Sequence, residues 1–184
     1  MQHNLPKPWK AFLEELDQLF SSAVSLHCFG GFVVTACYGL PRPTADLDVL
    51  QIFPSDVQAT LVKLAGQHSE LHNTHGVYLD VVTIASHPDN YEERLKEVFS
   101  GAFRHLRLLA LDPYDLALAK LERNLQRDRD DVVFLADAVP LDLAVLRTRY
   151  EQEMRRYLGR PDREDLTLAL WTEMIDEHRR NRTR

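Results

Sequence analysis

An uncharged run from Ser21 to Pro41 places the strongest constraint on the fold, since its length is close to that of a membrane-spanning helix, ~20 residues. The pair Gly30-Gly31 interrupts the run, and Ser, His and Thr lie within it, which disfavours a membrane span. The pattern instead predicts a short strand at Val24–Phe29, a turn at the glycines and a short helix at Phe32–Tyr38. We therefore expect a soluble protein whose first part contains both strands and helices.

The rest of the chain divides into a part with strands and a part with helices. The early pattern predicts a helix at Pro8–Phe20, a strand at Leu47–Phe53, a helix from Ser55 to about Gly66, a polar loop at His68–Gly76 and a strand at Val77–Ile84. The later pattern predicts helices at Tyr91–Phe99, Asp112–Leu125, Arg127 to just before Pro140, Asp142–Leu158 and Asp162–Arg179, with an extended piece at Leu106–Leu109. We expect an α+β fold, with a three-stranded core in residues 1–110 and an all-helical region packed on it in residues 111–184.

The charge of the chain is uneven along its length. With 28 acidic and 22 basic residues the formal net charge is −6, which argues against a general polyanion binder with a basic surface. The excess lies in residues 1–92, which carry 10 acidic and 4 basic residues, whereas residues 93–184 carry 18 of each. Cys28 and Cys37 match neither a disulfide framework nor a zinc motif. Because the amino-terminal segment also lacks the apolar core of a signal peptide, we expect a cytoplasmic protein.

Three carboxylates fall on two of the predicted strands or directly beside them. Asp46 and Asp48 alternate with Leu47, so both point to the same face of the strand. Asp80 interrupts the apolar run Val77–Ile84, where an acidic side chain needs a compensating partner. Mg²⁺ prefers oxygen ligands and commonly joins a few carboxylates to the phosphates of a substrate. The three aspartates are therefore candidate metal ligands; the alternatives are a solvated turn for the pair and a strand end for Asp80.

The glycine pair adds a candidate anion site. A strand that ends in Gly30-Gly31 and leads into a helix leaves backbone N–H groups free beside the positive end of the helix dipole, where phosphate binds readily. Such a cradle, 15 residues before the carboxylate pair, supplies the two components of metal-dependent phosphoryl or nucleotidyl transfer. Taken alone, the pair is more typical of an ordinary tight turn.

The helical region contains a further set of charged candidates. Lys120 follows a segment rich in Leu and Ala, where its ammonium either holds a triphosphate in a cleft or lines a solvated face. Arg127 and the acidic residues up to Asp131 are typical of surface salt bridges. On chemistry alone, the solvated face is the favoured interpretation for all of them.

Two other segments carry groups that bind metals or phosphates. His68, His72 and His75 lie among polar residues, which favours an exposed loop over a metal site. The segment from Arg147 onward is rich in arginine, and we expect a solvated helical hairpin, with contact to an acceptor RNA as the alternative.

Taken together, these motifs resemble the nucleotidyltransferase superfamily, the fold of polymerase β and of the aminoglycoside nucleotidyltransferases. The resemblance is carried by Gly30-Gly31, then Arg42-x-Thr44-x-Asp46-x-Asp48, then Asp80 in a strand. A later set resembles the small prokaryotic branch related to AbiEii, the toxin of type IV toxin–antitoxin pairs. This set comprises Leu111-Asp-Pro-Tyr-Asp-Leu116, Lys120-Leu121 and Arg127-Asp128-x-x-Asp131, and the whole match covers roughly residues 24–135.

The resemblance implies a fold, a metal site and a reaction. The implied fold is a small mixed sheet flanked by helices, and the implied reaction moves an NMP from an NTP to a hydroxyl of RNA, protein or a small molecule, with release of pyrophosphate. Two Mg²⁺ ions, with Mn²⁺ as the alternative, would bind Asp46 and Asp48, and Asp80 would complete the site and help to deprotonate the acceptor. The positions near the nucleotide would be Lys120, Arg127 and Asp131, with Arg42 and Thr44 at the mouth. Because bound Mg²⁺ offsets local negative charge, the net charge does not exclude an RNA acceptor.

One position departs from the superfamily pattern. Phe32 stands where Ser or Thr usually follows the glycines and holds a phosphate with its hydroxyl. This departure favours an alternative, a catalytically weak or inactive nucleotide- or partner-binding module that belongs to a toxin–antitoxin pair and has an antitoxin partner. Retention of all three carboxylates favours the enzyme, because an inactive site has no use for clustered negative charge. A third interpretation, an antibiotic-modifying O-nucleotidyltransferase, differs only in its small-molecule acceptor.

Overall fold

The computed structural model describes residues 5–182, so Met1 to Asn4, at the start of the segment considered for a signal peptide, lie outside it. The chain forms two compact units. The first contains the described part of Met1–Ile84 together with Leu95–Leu111, and the second contains Ala85–Arg94 and the described part of Asp112–Arg184. No helix in the described residues combines the length and the apolar composition needed to cross a membrane.

The first unit is built on a five-stranded mixed sheet in the order β3-β2-β1-β5-β4. Its strands are β1 (Val24–Phe29), β2 (Asp46–Phe53), β3 (Tyr78–Val81), β4 (Lys96–Val98) and β5 (Leu106–Ala110). Its helices are α1 (Lys7–Gln18), α2 (Gly30–Tyr38), α3 (Gln58–Ala65) and α4 (Glu70–His75), with a 3₁₀ turn at Ser55–Val57. Strand β1 pairs antiparallel with β2 and parallel with β5, while β2 pairs parallel with β3 and β4 antiparallel with β5. The α+β fold class predicted from the sequence is confirmed.

Burial explains why the uncharged run becomes β1 and α2. Five of the six residues of β1 are buried, and α2 buries apolar residues around most of its circumference. At the start of α2, Phe32 is 0% exposed and contacts the ring of Trp9 edge to face, with 4.8 Å between ring centroids. Apolar area removed from water is the main favourable contribution to folding, ~25 cal/mol per Å². The run is therefore the centre of the first unit.

Three local predictions in residues 68–111 are wrong. The predicted loop His68–Gly76 contains α4, which is capped by Ser69 because its hydroxyl accepts a hydrogen bond from the His72 N–H at 3.1 Å. The predicted helix Tyr91–Phe99 is a 3₁₀ turn followed by the short edge strand β4. The predicted three-stranded sheet gains β4 and β5, and the third predicted strand ends at Val81 instead of Ile84.

The second unit contains helices, turns and loops, with no strand among its described residues. Its helices are α5 (Pro113–Leu118), α6 (Gln126–Ala138), α7 (Leu143–Arg149) and α8 (Pro161–Arg182), with a 3₁₀ turn at Tyr91–Arg94, a π turn at Tyr150–Met154 and a second 3₁₀ turn at Arg155–Tyr157. The predicted start of α5 is confirmed, since the Asp112 carboxylate accepts a hydrogen bond from the Asp115 N–H at 2.9 Å and proline follows at the first helical position. Trp171 of α8 is buried, and its Nε1–H donates to the Asn124 side chain at 3.0 Å.

Candidate active site

The aspartates of β2 and β3 lie on one face of the sheet. Along β2, Asp46 and Asp48 are half-buried whereas Leu47 is buried on the opposite face. Strand β3 runs parallel to β2 in a register that pairs Asp48 with Asp80 and Asp46 with Tyr78. Because side chains at positions i and i+2 of a strand share a face, the three carboxylates and the phenol of Tyr78 project to the same side. We call this surface, formed by Asp46, Asp48, Asp80 and Tyr78, the carboxylate face.

Gly30 brings the end of β1 against the carboxylate face. Phe29 pairs with Asp48 in the antiparallel register, so Gly30 follows directly beside that aspartate. Gly30 has a φ of +71°, and a Cβ placed on it would lie 1.8 Å from Oδ2 of Asp48. No side chain fits there, and the left-handed conformation also favours glycine. Asp48 is therefore flanked by the start of α2 on one side and by Asp80 on the other.

Thr44 connects the glycine pair to Asp46. Its hydroxyl donates a hydrogen bond to Oδ1 of Asp46 at 2.5 Å, and a Cβ on Gly31 would lie 3.4 Å from the same hydroxyl oxygen. The turn before β2 is fixed to α2 as well, because the Thr35 hydroxyl donates to the carbonyl oxygen of Arg42 at 2.9 Å. Arg42 is half-buried in this turn. The first unit thus brings Gly30, Gly31, Arg42, Thr44 and the carboxylate face into one neighbourhood.

Tyr78 belongs to this face but was not predicted from the sequence. The pKa of its phenol reflects its burial and the negative charge around it. Burial raises the pKa of its phenol above the ordinary value, and the negative charges of Asp46, Asp80 and Asp48 raise it further. All three carboxylates therefore act on one hydroxyl group, as expected for a shared local field. The sequence signal was available, since Tyr78 precedes Asp80 by two residues and so shares its face.

The carboxylate face does not form a closed metal cage. Within residues 5–182, no three His, Cys, Asp or Glu side chains are grouped so that they could hold a metal ion by themselves. Like charges repel, and one oxygen of Asp46 is already engaged by Thr44. Mg²⁺ commonly uses one or two carboxylates and takes its remaining ligands from water and substrate phosphates. A face of neighbouring carboxylates without a closed cage suits that mode of binding, in which a substrate brings part of the ligand set.

The phenylalanine that replaces the usual Ser or Thr lies in the core of the unit. Because Phe32 is 0% exposed and packs on Trp9, its ring is unavailable to a ligand. The replacement removes a hydroxyl without placing a bulky group against the carboxylate face. The backbone N–H groups in the first turn of α2 have no partners within the helix and so remain the donors offered by the glycine cradle.

Lys120, Asp128 and Asp131 form a buried ionic cluster in the second unit. Nζ of Lys120 donates to Oδ2 of Asp131 at 2.8 Å and lies 3.8 Å from Oδ1 of Asp128. The exposed fraction is 3% for Lys120, 0% for Asp128 and 1% for Asp131, so the solvated face favoured on chemistry alone is wrong for all three. Burial opposes ionisation of Asp128, but the Arg123 guanidinium and the Leu125 N–H outweigh it and lower the pKa of this carboxyl.

Replacing Lys120 by Met is expected to lower the free energy of unfolding by about 3 kcal/mol, because it removes the cation of a buried ion pair and leaves the negative charge of Asp131 in the interior. Arg127→Met, which removes an exposed cation from the first turn of α6, is the matched control and should change stability by less than about 0.5 kcal/mol. Denaturant unfolding of both variants measures the difference. A double-mutant cycle of Lys120→Met with Asp131→Asn should show that the two effects on stability are coupled. If Lys120→Met destabilised the protein as little as Arg127→Met does, the ion pair would not stabilise the fold.

A second ionic network in this unit was not anticipated from the sequence. Arg94 donates two hydrogen bonds to the fully buried Asp115, at 2.9 and 3.1 Å, and two to Glu153. Arg149 donates to Asp112 and Asp115. Burial opposes the guanidinium charge, yet the hydrogen bonds to Asp115 and Glu153 outweigh it and raise the pKa of Arg94. The Leu111–Leu116 motif therefore fixes the segment Ala85–Arg94 within the helical unit.

The three histidines of the predicted loop have separate surroundings. His75 contacts Glu15 of α1, with 2.7 Å between Nε2 and the carboxylate, whereas the ring of His72 lies against Tyr78. Among the residues that the structure describes, the three histidines are not part of any group of side chains that could hold a metal ion by itself.

The fold and the arrangement of this face define a class. A small mixed sheet that places an Asp-x-Asp strand beside a third aspartate and a glycine-led helix is the arrangement of a nucleotidyltransferase-type domain. Residues 9–179 match the family described as "Nucleotidyltransferase of unknown function (DUF6036)", and the chain belongs to this family. No match was found among curated proteins or among solved structures.

Proposed function

We propose that this protein is a metal-dependent nucleotidyltransferase that moves an NMP from an NTP to a hydroxyl acceptor and releases pyrophosphate. The family supports transfer of a nucleotidyl group at a coarse level. The observation that carries the finer proposal is the position of Asp48. Gly30, at the end of β1, lies against it on one side, and Asp80 of β3 is paired with it on the other. This arrangement places backbone donors for phosphate beside carboxylates that suit a cation, which is the pairing that transfer from a triphosphate requires.

The start of α2 is the proposed phosphate site. The N–H groups of its first turn and the positive end of its dipole favour an anion, and Gly30 and Gly31 let a phosphate approach the backbone closely. Thr44, whose hydroxyl lies near both Gly31 and Asp46, borders this site, and Arg42 supplies positive charge in the same turn. The resemblance to the superfamily also implies Lys120, Arg127 and Asp131 as nucleotide-binding residues, and they stay candidates for that role. Arg127 is the more accessible of these, because Lys120 and Asp131 pair with each other.

Asp80 is the proposed proton acceptor. It is the exposed member of the carboxylate face, so the hydroxyl of an acceptor can reach it, whereas Asp46 and Asp48 are half-buried. In the reaction the acceptor oxygen forms a bond to the α-phosphorus, the bond from that phosphorus to the β-phosphate bridging oxygen breaks, and the hydroxyl proton passes to Asp80. Asp46 and Asp48 would hold Mg²⁺, which supplies charge neutralisation for the phosphates when it is bound.

Mg²⁺ binding should depend on the nucleotide. Because the carboxylate face lacks a closed cage, Mg²⁺ alone is expected to bind weakly, and a non-hydrolysable NTP analogue should tighten its binding at least about tenfold by adding phosphate ligands. By linkage, Mg²⁺ should tighten the analogue by the same factor. Calorimetric titrations in both orders measure the two factors. An affinity for the analogue that is the same with and without Mg²⁺ would favour the non-catalytic module.

The reaction itself is tested by incubating the protein with NTPs labelled at the α-phosphate, Mg²⁺ and a cell extract separated into RNA, protein and small-molecule fractions. Wild-type protein should label one fraction, and Asp80→Asn should label it at least about 100-fold more slowly. Asp56→Asn, an identical charge change at an exposed position in the 3₁₀ turn before α3, is the matched control and should keep the wild-type rate. Equal labelling by wild type and Asp80→Asn would contradict the proposal.

A second candidate is a nucleotide- or partner-binding module of a toxin–antitoxin pair, the role suggested by the resemblance to AbiEii relatives. The observation that favours it is Phe32, which removes the hydroxyl expected at the phosphate site. Its test is genetic: expression of this protein alone should arrest growth, and the product of an adjacent gene should restore it. Growth that is unchanged by expression would remove this candidate.

A further inference from the structure

A strip of aromatic rings starts on the carboxylate face and continues along α4. Tyr78 lies opposite Asp46 in the β2–β3 register and two residues from Asp80. The ring of His72 packs against Tyr78, with 5.0 Å between centroids and a tilt of 59°, and the ring of His68 follows at 6.0 Å from His72. The strip therefore leads outward from the carboxylates in the order Tyr78, His72, His68.

These rings differ in exposure from the aromatic cluster in the core of the first unit. There Trp9 contacts both Phe12 and Phe32, and all three rings are nearly or completely buried. Tyr78 and His72, in contrast, are half-buried, and His68 is exposed. An aromatic face that remains open to solvent beside a polar site is available to a planar ligand.

The strip is held in place by local hydrogen bonds. The His68 N–H donates to Nδ1 of His72 at 2.9 Å, and the His72 N–H donates to the Ser69 hydroxyl at 3.1 Å. His68 has a φ of +68°, a left-handed conformation that costs a residue with a side chain about 1 kcal/mol. Backbone strain of this kind occurs preferentially where a side chain must be presented to a ligand. His72 is thereby fixed from two directions, and its ring is positioned before any ligand arrives.

We propose that Tyr78, His72 and His68 form a stacking surface for a nucleobase beside the carboxylate face. This inference rests on the proposed nucleotidyl transfer and names the group that the site recognises besides phosphate. Stacking on an aromatic ring contributes to the binding of every base, because every base has a π face. The base belongs either to the incoming NTP or to the terminal nucleotide of the acceptor, and binding measurements separate the two sources.

The experiment compares ligands with and without a base. ATP and inorganic tripolyphosphate, each with Mg²⁺, and the dinucleotide ApA are titrated into wild-type protein and into Tyr78→Leu, His72→Leu and Tyr78→Phe by calorimetry. The matched control is His105→Leu, a half-buried histidine that precedes β5 at the opposite end of β1 from Gly30. Thermal unfolding and tripolyphosphate affinity show whether each variant keeps its fold.

If the NTP supplies the base, wild type should bind ATP about tenfold more tightly than tripolyphosphate, and both Leu variants should lose that preference. If the acceptor supplies it, the Leu variants should lose about tenfold in affinity for ApA instead. Tyr78→Phe and His105→Leu should behave as wild type in either case. Wild type without any base-dependent affinity, or Leu variants that retain it, would overturn the inference. None of these titrations requires turnover. The base-stacking proposal can therefore be judged even if the protein transfers no NMP.

Discussion

Gly30→Ala is expected to reduce NMP transfer roughly 1000-fold. The added Cβ would lie 1.8 Å from Oδ2 of Asp48, less than any real contact allows, so the aspartate or the start of α2 must move by more than about 1 Å. A displacement of that size in a reacting geometry costs ~100-fold in rate, and the loss of phosphate donors at α2 adds to it. The measurement is the rate at which label from the α-phosphate of an NTP appears in the acceptor fraction, together with the rate of pyrophosphate release.

Gly101→Ala is the matched control for this substitution. Gly101 also has a positive φ, +77°, but a Cβ placed on it meets no atom within 4 Å. Both changes therefore carry the cost of a left-handed alanine, about 1 kcal/mol in unfolding free energy, and only Gly30→Ala adds the collision with Asp48. Similar transfer rates for the two variants would show that the approach of Gly30 to Asp48 has no part in the reaction.

Asp48→Asn is expected to reduce transfer at least about 1000-fold while it changes the free energy of unfolding by less than about 1 kcal/mol. The amide keeps the volume of the side chain beside Gly30 but removes the charge that a divalent cation requires. Stability should change little, because the substitution also relieves repulsion from Asp46 and Asp80 across a partly solvated face. Transfer assays and denaturant unfolding of the same preparation measure both effects.

The conservative variant Asp48→Glu separates charge from position. The glutamate side chain is longer by one methylene, so the variant keeps the charge but collides with the start of α2 at Gly30. Transfer by Asp48→Glu should remain at least about tenfold below wild type, because position matters as well as charge. Full activity of Asp48→Asn would show that this carboxylate is not a ligand in the reaction.

The parts of the fold that follow from the sequence are those with strong local signals. Val24–Phe29 forms β1 with the predicted bounds, because it is a short, uncharged and mostly apolar segment that the glycine pair ends. Helix α6 and the capped start of α5 also follow their local patterns. In contrast, α4 buries one residue, Leu71, and its only local signals were the cap at Ser69 and the closing Gly76.

Strand β4 shows where local signals end. Lys96–Val98 is three residues long, and none of its residues is buried. This segment is a strand because it pairs with β5, which in turn pairs with the buried β1. Tertiary pairing of this kind overrides local propensity, and a single sequence does not encode it in a readable pattern.

For the candidate site as well, local patterns were predictable and tertiary contacts were not. Alternation placed Asp46 and Asp48 on one face, as the structure has them. The pairing of Asp48 with Asp80 depends on strand register, and the approach of Gly30 to Asp48 depends on a backbone conformation, so neither was readable. The burial of Lys120 was also unreadable, because its partner Asp131 lies on α6.

The most direct test of the central claim compares two positions of the label in the NTP. Wild-type protein with Mg²⁺ and the fraction that serves as acceptor should transfer label from the α-phosphate and release label from the γ-phosphate as pyrophosphate. Asp48→Asn should do neither at a measurable rate. Transfer of the γ-label to the acceptor, or equal α-label transfer by wild type and Asp48→Asn, would contradict nucleotidyl transfer at the carboxylate face.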